Sequence, residues 1–196
     1  MKNRFKISGI IALTAVIALV FGMTVVGCDN GSTDKGNDTW SNVTSLDQLS
    51  GTWKGSYRQT KTMQEFYGMT NAEWAETGMS QIFGNDMKIT TTMEITQTIS
   101  ASAKTVSGSL KMTMAFSGSK ISTAWAMIKE QMGDDSGFTV NDTNHSMTMT
   151  NNINETLSDD DIAEILAPSG IQINQSGTKI RSPASDNSPE IIFAKQ

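Results

Sequence analysis

The sequence predicts a mainly β fold: a single up-and-down antiparallel β-barrel with two or three short helical insertions. Two observations carry this expectation. Apolar and polar residues alternate strictly over long stretches, and helical spacing is confined to brief interruptions. In addition, long one-faced strands joined by hairpins must cover their apolar side, and closing the sheet does so without leaving an exposed edge.

The clearest strand is residues 87–100, with Met87, Ile89, Met93, Ile95 and Ile99 on one face and Lys88, Thr90, Thr92, Glu94, Thr96 and Thr98 on the other. Residues 105–117 repeat the pattern, with Val106, Leu110, Met112, Met114 and Phe116 inward and Ser107, Ser109, Lys111 and Thr113 outward. The two should form an antiparallel hairpin. A further alternating run starts at Phe138 and Val140, is split by a turn near residues 141–144, and continues through His145, Met147, Met149 and Ile153. Shorter strands are expected at residues 52–60, 171–175, 178–182 and 190–194, for seven or eight strands in all.

Two segments break the alternation. Residues 119–132 set Ile121, Trp125, Ile128 and Met132 at helical spacing, and Ser158 followed by Asp159, Asp160 and Asp161 reads as an N-cap with an acidic first turn ahead of Ile162, Ile165 and Leu166. Residues 71–83, with Trp74 and Met79, suggest a third helix that Gly78 weakens.

Ahead of this domain lies a segment of another kind. Lys2, Arg4 and Lys6 precede an uncharged apolar run from Ile7 to Gly27, the charge asymmetry of an export signal. The run is about 20 residues, which would also suit a membrane-spanning helix. What separates the two is Val25-Val26-Gly27-Cys28, which resembles the lipobox of bacterial lipoproteins and, with valine at both positions before the glycine, those of spirochaetes. The resemblance implies that Cys28 is joined to diacylglycerol, that residues 1–27 are removed, and that the new amino group is acylated. Two or three chains would anchor the protein stably, where a single chain holds only marginally. The expected location is the cell envelope, on a membrane and a face that the resemblance leaves open, the inner membrane included.

Removing the three cations of residues 1–27 takes the formal charge from −5 to −8. An acidic exported domain is a poor electrostatic partner for nucleic acid. Cys28 is the single cysteine, so no intramolecular disulfide can form and the core alone must hold the domain together. Residues 28–45, rich in Gly, Ser, Asn, Asp and Thr, read as a flexible tether, and residues 46–196 as one domain.

At the start of that domain, Leu49-Ser50-Gly51-Thr52-Trp53-Lys54-Gly55 resembles the Gly-x-Trp motif that opens the first strand of lipocalins and fatty-acid-binding proteins. The resemblance implies a barrel with Trp53 packed across its closed end and Gly51 permitting close approach. Arg181 is the one loose candidate for the family's later arginine.

The domain has one histidine, no free thiol and no nucleophile elbow, which points away from an enzyme. No catalytic residue, cofactor or metal site is expected. Asp134-Asp135 sits beside Ser136-Gly137 in a turn pattern, and Asp159 to Asp161 cap a helix. Eleven of the thirteen methionines follow Gly27. Methionine fills irregular cores and suits an adaptable apolar pocket. The leading expectation is therefore a lipid or other small apolar ligand held in the barrel, lined by Trp53, Met93, Met112, Met114, Phe116, Met147 and Met149. Two alternatives stay open. The barrel could be filled and act on another protein through its Thr-rich exterior or its helices, or His145, Met147 and Met149, beside Met112 and Met114, could present soft ligands to Cu(I).

Replacing the anchoring thiol tests the expected processing. Cys28→Ser should abolish incorporation of labelled fatty acid and leave residues 1–27 attached, both read by intact-mass spectrometry of the expressed protein.

Overall fold

The computed structural model describes residues 38–132, 137–167, 171–182 and 190–196. The expected signal segment, Cys28, the first part of the tether and the Asp134-Asp135 turn lie outside them. Among the described residues no helix is long and apolar enough to cross a membrane.

The fold is mainly β, as the alternation predicts: one nine-stranded antiparallel sheet of up-and-down strands with five short helices among the described residues. The strands are β1 (Trp40–Asn42), β2 (Gly51–Thr62), β3 (Lys88–Ser100), β4 (Thr105–Ser117), β5 (Thr139–Asn141), β6 (Ser146–Thr156), β7 (Gln172–Asn174), β8 (Lys179–Ser182) and β9 (Ile191–Lys195). The helices are α1 (Met63–Phe66), α2 (Asn71–Glu76), α3 (Met79–Phe83), α4 (Ile121–Met132) and α5 (Asp159–Ile165).

Their order in the sheet is β1-β7-β8-β9-β2-β3-β4-β6-β5. Antiparallel pairing of β9 with β2, Trp53 opposite Lys195, joins the first long strand to the last, as barrel closure would require. The sheet is nevertheless open, which corrects the closed barrel. The cause lies after β6, where α5 replaces a hairpin, so the consecutive strands β6 and β7 are not neighbours. Three-residue strands take their free edges instead, β5 on β6 and β1 on β7. Short edge strands are a common way of blunting a sheet that does not close.

The chain divides into two compact units. The first comprises the described residues up to Ser56, Glu94–Leu110 and Asn152–Gln196. Its core contains Leu49, Trp53, Ile95, Ile99, Val106, Leu110, Leu157, Ile165, Ile173, Ile180, Ile191 and Phe193, all buried. Trp53 is fully enclosed and its Nε1 donates to the Leu49 carbonyl at 2.7 Å, so the indole's polar atom is satisfied in place. Burying such a ring contributes about 3 kcal/mol. Gly51, at φ +124, adopts a backbone that other residues avoid, and Lys195 crosses beside it with its Nζ 5.2 Å from the centre of the Trp53 ring.

Part of the expected tether belongs to the sheet. Trp40–Asn42 pairs with Gln172–Asn174, and Val43 is buried with its N–H donating to the Ile171 carbonyl. The Arg181 guanidinium lies 4.7 Å from the centre of the Trp40 ring and bonds Gln172 and Glu190, so the loose arginine candidate has its partners here. Asn174, also buried, fastens the β7–β8 turn: its Oδ1 accepts the N–H groups of Thr178 and Lys179. The acidic run at residues 159–161 proves to be a capping box, with Ser158 Oγ accepting from the Asp161 N–H and the Asp161 carboxylate accepting from the Ser158 N–H.

Strands β3 and β4 meet closely at Gly108, where a Cβ would run into the Thr96 carbonyl oxygen and the Gln97 Cα. Because those are backbone atoms, no side-chain rotation relieves the clash. Gly108→Ala should therefore destabilise the fold by about 2–3 kcal/mol in urea-unfolding experiments. The exposed neighbour changed in the same way, Ser107→Ala, should stay within about 0.5 kcal/mol of the parent.

Candidate functional site

The second unit, Tyr57–Met93 and Lys111–Asn151, has a helix-covered core. It begins within β2, at Tyr57. Thr62 caps α1: its Oγ1 accepts from the Glu65 N–H while the Glu65 carboxylate accepts from the Thr62 N–H at 2.7 Å. Those bonds hold the Glu65 carboxyl below its ordinary value. Thr70 and Glu73 repeat the device for α2. The Met63 N–H donates to the Met87 carbonyl at 2.8 Å, which ties the base of α1 to the chain entering β3.

Gly78, at φ +71, separates α2 from α3, so the single helix expected over residues 71–83 is two. Trp74 on α2 stacks on Phe83 of α3, ring centres 6.1 Å apart, and lies 6.5 Å from Tyr67. Helix α4 falls where its periodicity predicts and buries Ala124, Trp125 and Ile128. It is fixed at both ends. Ser119 donates from N–H and Oγ to the Asp86 carboxylate, and Lys120 Nζ donates to the Gln81 carbonyl. Towards its other end, Trp125 Nε1 and Lys129 Nζ both reach Asp142 Oδ1, at 2.6 and 2.7 Å. The Lys129 ammonium first, then the indole N–H, holds the Asp142 carboxyl below its ordinary value of 3.8.

These elements leave an apolar pocket of about 40 Å³ lined by Met63, Phe66, Tyr67, Ile89, Met114, Phe116 and Ile128. Burial pushes the Tyr67 phenol up. Four separate parts of the chain contribute: α1 with the Tyr67 that follows it, then β3, β4 and α4. The volume admits a few water-sized groups or the end of an aliphatic chain. Whole drug-sized ligands need several hundred Å³.

Of the seven expected lining residues, the structure brings Met114 and Phe116 to the pocket. Met147 lies in the same core cluster. The contact between Thr113 and Thr148 hydroxyls at 3.1 Å, with the Phe116 N–H donating to the His145 carbonyl, sets the register of β4 against β6. Met114 then faces Met147, and Met112 faces Met149. Met93 and Met112 are buried and Met149 half-buried, none of them lining the pocket. Trp53 belongs to the core of the first unit instead, because β2 crosses from one core to the other along its length.

The sequence reading missed Met63, Phe66, Tyr67, Ile89 and Ile128 as pocket residues. Ile89 and Ile128 were on the expected inner faces. The signal for the other three was the pair of Thr-x-x-Glu capping boxes at residues 62–65 and 70–73, which mark helix starts inside a segment otherwise without period.

His145 departs from the expected strand face. It sits at φ +49 in the turn before β6, its ring edge-on to Trp125 with centres 5.3 Å apart. That contact, not a row of thioethers, is its nearest described environment. Among the described residues no group of three or more His, Cys, Asp or Glu side chains is placed to hold a metal ion.

Asp142 makes the packing of α4 sensitive to acid. Its folded value is depressed, so the contribution is present above the ordinary carboxylate range and is lost as pH falls through the folded value. Lowering the pH from about 5 to 2 should change the fluorescence of Trp125 as Asp142 is protonated. In Asp142→Asn the step assigned to this residue should disappear from the titration.

In comparisons with known proteins, no family model, curated protein or solved structure matches this chain.

Proposed function

We propose that the protein is an exported lipoprotein, held at the cell envelope by lipid on Cys28, that binds a small apolar ligand or the end of a larger one. The observation that carries the binding role is the pocket between α1 and α4, whose lining is two methionines, two isoleucines and three aromatic residues. Methionine side chains are unbranched and polarizable, so such a wall adapts to different shapes at low cost. The two short helices that cover it are secured by caps and side-chain bonds. The lipobox resemblance at residues 25–28 supports the anchor, and the Gly51-x-Trp53 resemblance agrees with a carrier of apolar molecules. The pocket's size favours a short chain or ring over an enclosed lipid.

A second reading is contact with another protein through the sheet edge. It draws on β5, whose three residues are all exposed, with Val140 at 42%.

Xenon is an apolar probe of suitable size for the pocket. With methionine ε-methyl groups labelled, pressurised xenon should shift the Met63 and Met114 resonances and leave those of methionines away from the pocket in place. Ile128→Phe, which fills the pocket from α4, should remove that response while the protein still melts cooperatively. Unperturbed Met63 and Met114 signals in the parent protein would rule out the binding role.

A further inference from the structure

Three of the four tryptophans are enclosed, Trp53, Trp74 and Trp125 at 0%, 3% and 6% exposure, while Trp40 on the edge strand β1 is only half-buried. The register of the first unit sets the surroundings of that ring. Arg181 on β8 lies opposite both Gln172 on β7 and Ile192 on β9, and its guanidinium is 4.7 Å from the centre of the Trp40 ring. Lys179 lies opposite Ala194, which in turn lies opposite Lys54 on β2. The alternate residues of the same strands, Ile180, Phe193 and Trp53, are buried in the core. Trp40, Ile192 and Ala194 therefore share the outward face of this part of the sheet with Lys54, Lys179 and Arg181.

Lys179 pairs with Asp38 at 3.1 Å and Arg181 with Glu190 at 3.2 Å, so the face holds three cations against two carboxylates. That is a local positive excess in a chain whose formal charge is −5. Half-exposed apolar groups among Lys and Arg stems, with an indole at their edge, match what is stable at the headgroup level of a bilayer, where one end of each side chain is apolar and the other wet. The position of the face along the chain agrees with this. Trp40 follows Cys28 by twelve residues, which span at most about 40 Å when fully extended. Strand β1 is thus the strand held nearest, along the backbone, to the residue that carries the lipid in the reading above.

We infer that this outward face docks on the surface of the bilayer in which Cys28 is anchored. Trp40 and Ile192 rest among the headgroups, the exposed Lys54 meets a lipid phosphate, and the stems of Lys179 and Arg181 lie along the interface. This rests on the anchor proposed above and adds a second contact. Acyl chains on Cys28 hold the protein at the membrane without fixing how the first unit is turned, and the face around Trp40 supplies that orientation.

The full-length protein, purified from membranes and reconstituted in phosphatidylcholine vesicles, tests this, because bromine on lipid chains quenches an indole only at close range and the other three are enclosed. Bromine placed near the headgroup end of the chains should lower the emission by the share belonging to Trp40, and bromine near the chain ends should lower it less. Trp40→Phe should erase the quenching. Ala194→Asp, which puts a carboxylate beside Lys54, should reduce it while the protein still melts cooperatively. Acylated Cys28 in the mass spectrum, with emission unchanged in brominated vesicles, would overturn the inference and leave the anchor standing. Quenching that persists in Trp40→Phe would overturn it by placing another tryptophan at the lipid. Shielding of Trp40 from acrylamide in detergent that grows with protein concentration would assign the face to a second copy of the chain and overturn it as well. Protein without acyl groups would remove the anchor reading itself.

Discussion

Strand β3 has β2 on one side and β4 on the other, and its two-residue alternation decides which face of the sheet is apolar. Every odd position from Ile89 to Ile99 is buried, including the polar Thr91 and Gln97, while the even positions carry Lys, Thr, Glu and Ser. A slip of one residue against either neighbour would invert that set. Several contacts oppose the slip. Thr52 pairs with Thr98 and Thr60 with Thr90 through hydroxyls 2.9 Å apart, each worth about 0.2–1 kcal/mol. Gly108 and Gly118 bring β4 against β3 at distances that no other residue type allows. The strand side of the pocket wall, Ile89, Met114 and Phe116, depends on side chains whose facing this register sets.

In the second unit, the helices are too short to be stable by themselves, since isolated helices below about 12 residues are marginal in water. What keeps them is burial of Trp74, Phe83, Trp125 and Ile128, assisted by reciprocal caps at Thr62 and Thr70. Asp142 links α4 to the β5–β6 turn through Trp125 and Lys129. His145 packs edge-on to the same indole. The lone histidine of the sequence thus has a packing role, and Met63 of α1 and Met114 of β4 are the methionines of the pocket wall. The pocket is shaped by a few helical side chains resting on the sheet.

Polar satisfaction differs between the two cores. Where a buried polar side chain serves structure, as at Trp53 and Asn174, its partners lie in the same turn or adjacent strand. Gln59 and Trp74 have no such arrangement. Leaving a buried donor unmade costs about 1–3 kcal/mol. A fold without disulfides within its domain tolerates that cost only where the remaining core exceeds it.

The sequence by itself determined the faces of the long strands and the placement of α4 and α5, because period and capping chemistry are local properties of the chain. Residues 87–100 and 105–117 read directly as a hairpin, residues 119–132 as a helix, and Ser158 as its N-cap relative in α5. Met114 and Phe116 were legible as inward residues of a binding face for the same reason. Only the tertiary structure decided which strands become neighbours. That β6 ends beside β5 and not β7, that Trp40–Asn42 joins the sheet, and that Met63, Tyr67 and Ile128 meet Ile89 follow from chain closures over long separations. Alternation specifies a face but names no partner, so an open sheet and a closed barrel share one pattern; in this chain α5 follows β6 in sequence, and β6 and β7 are not neighbours in the sheet.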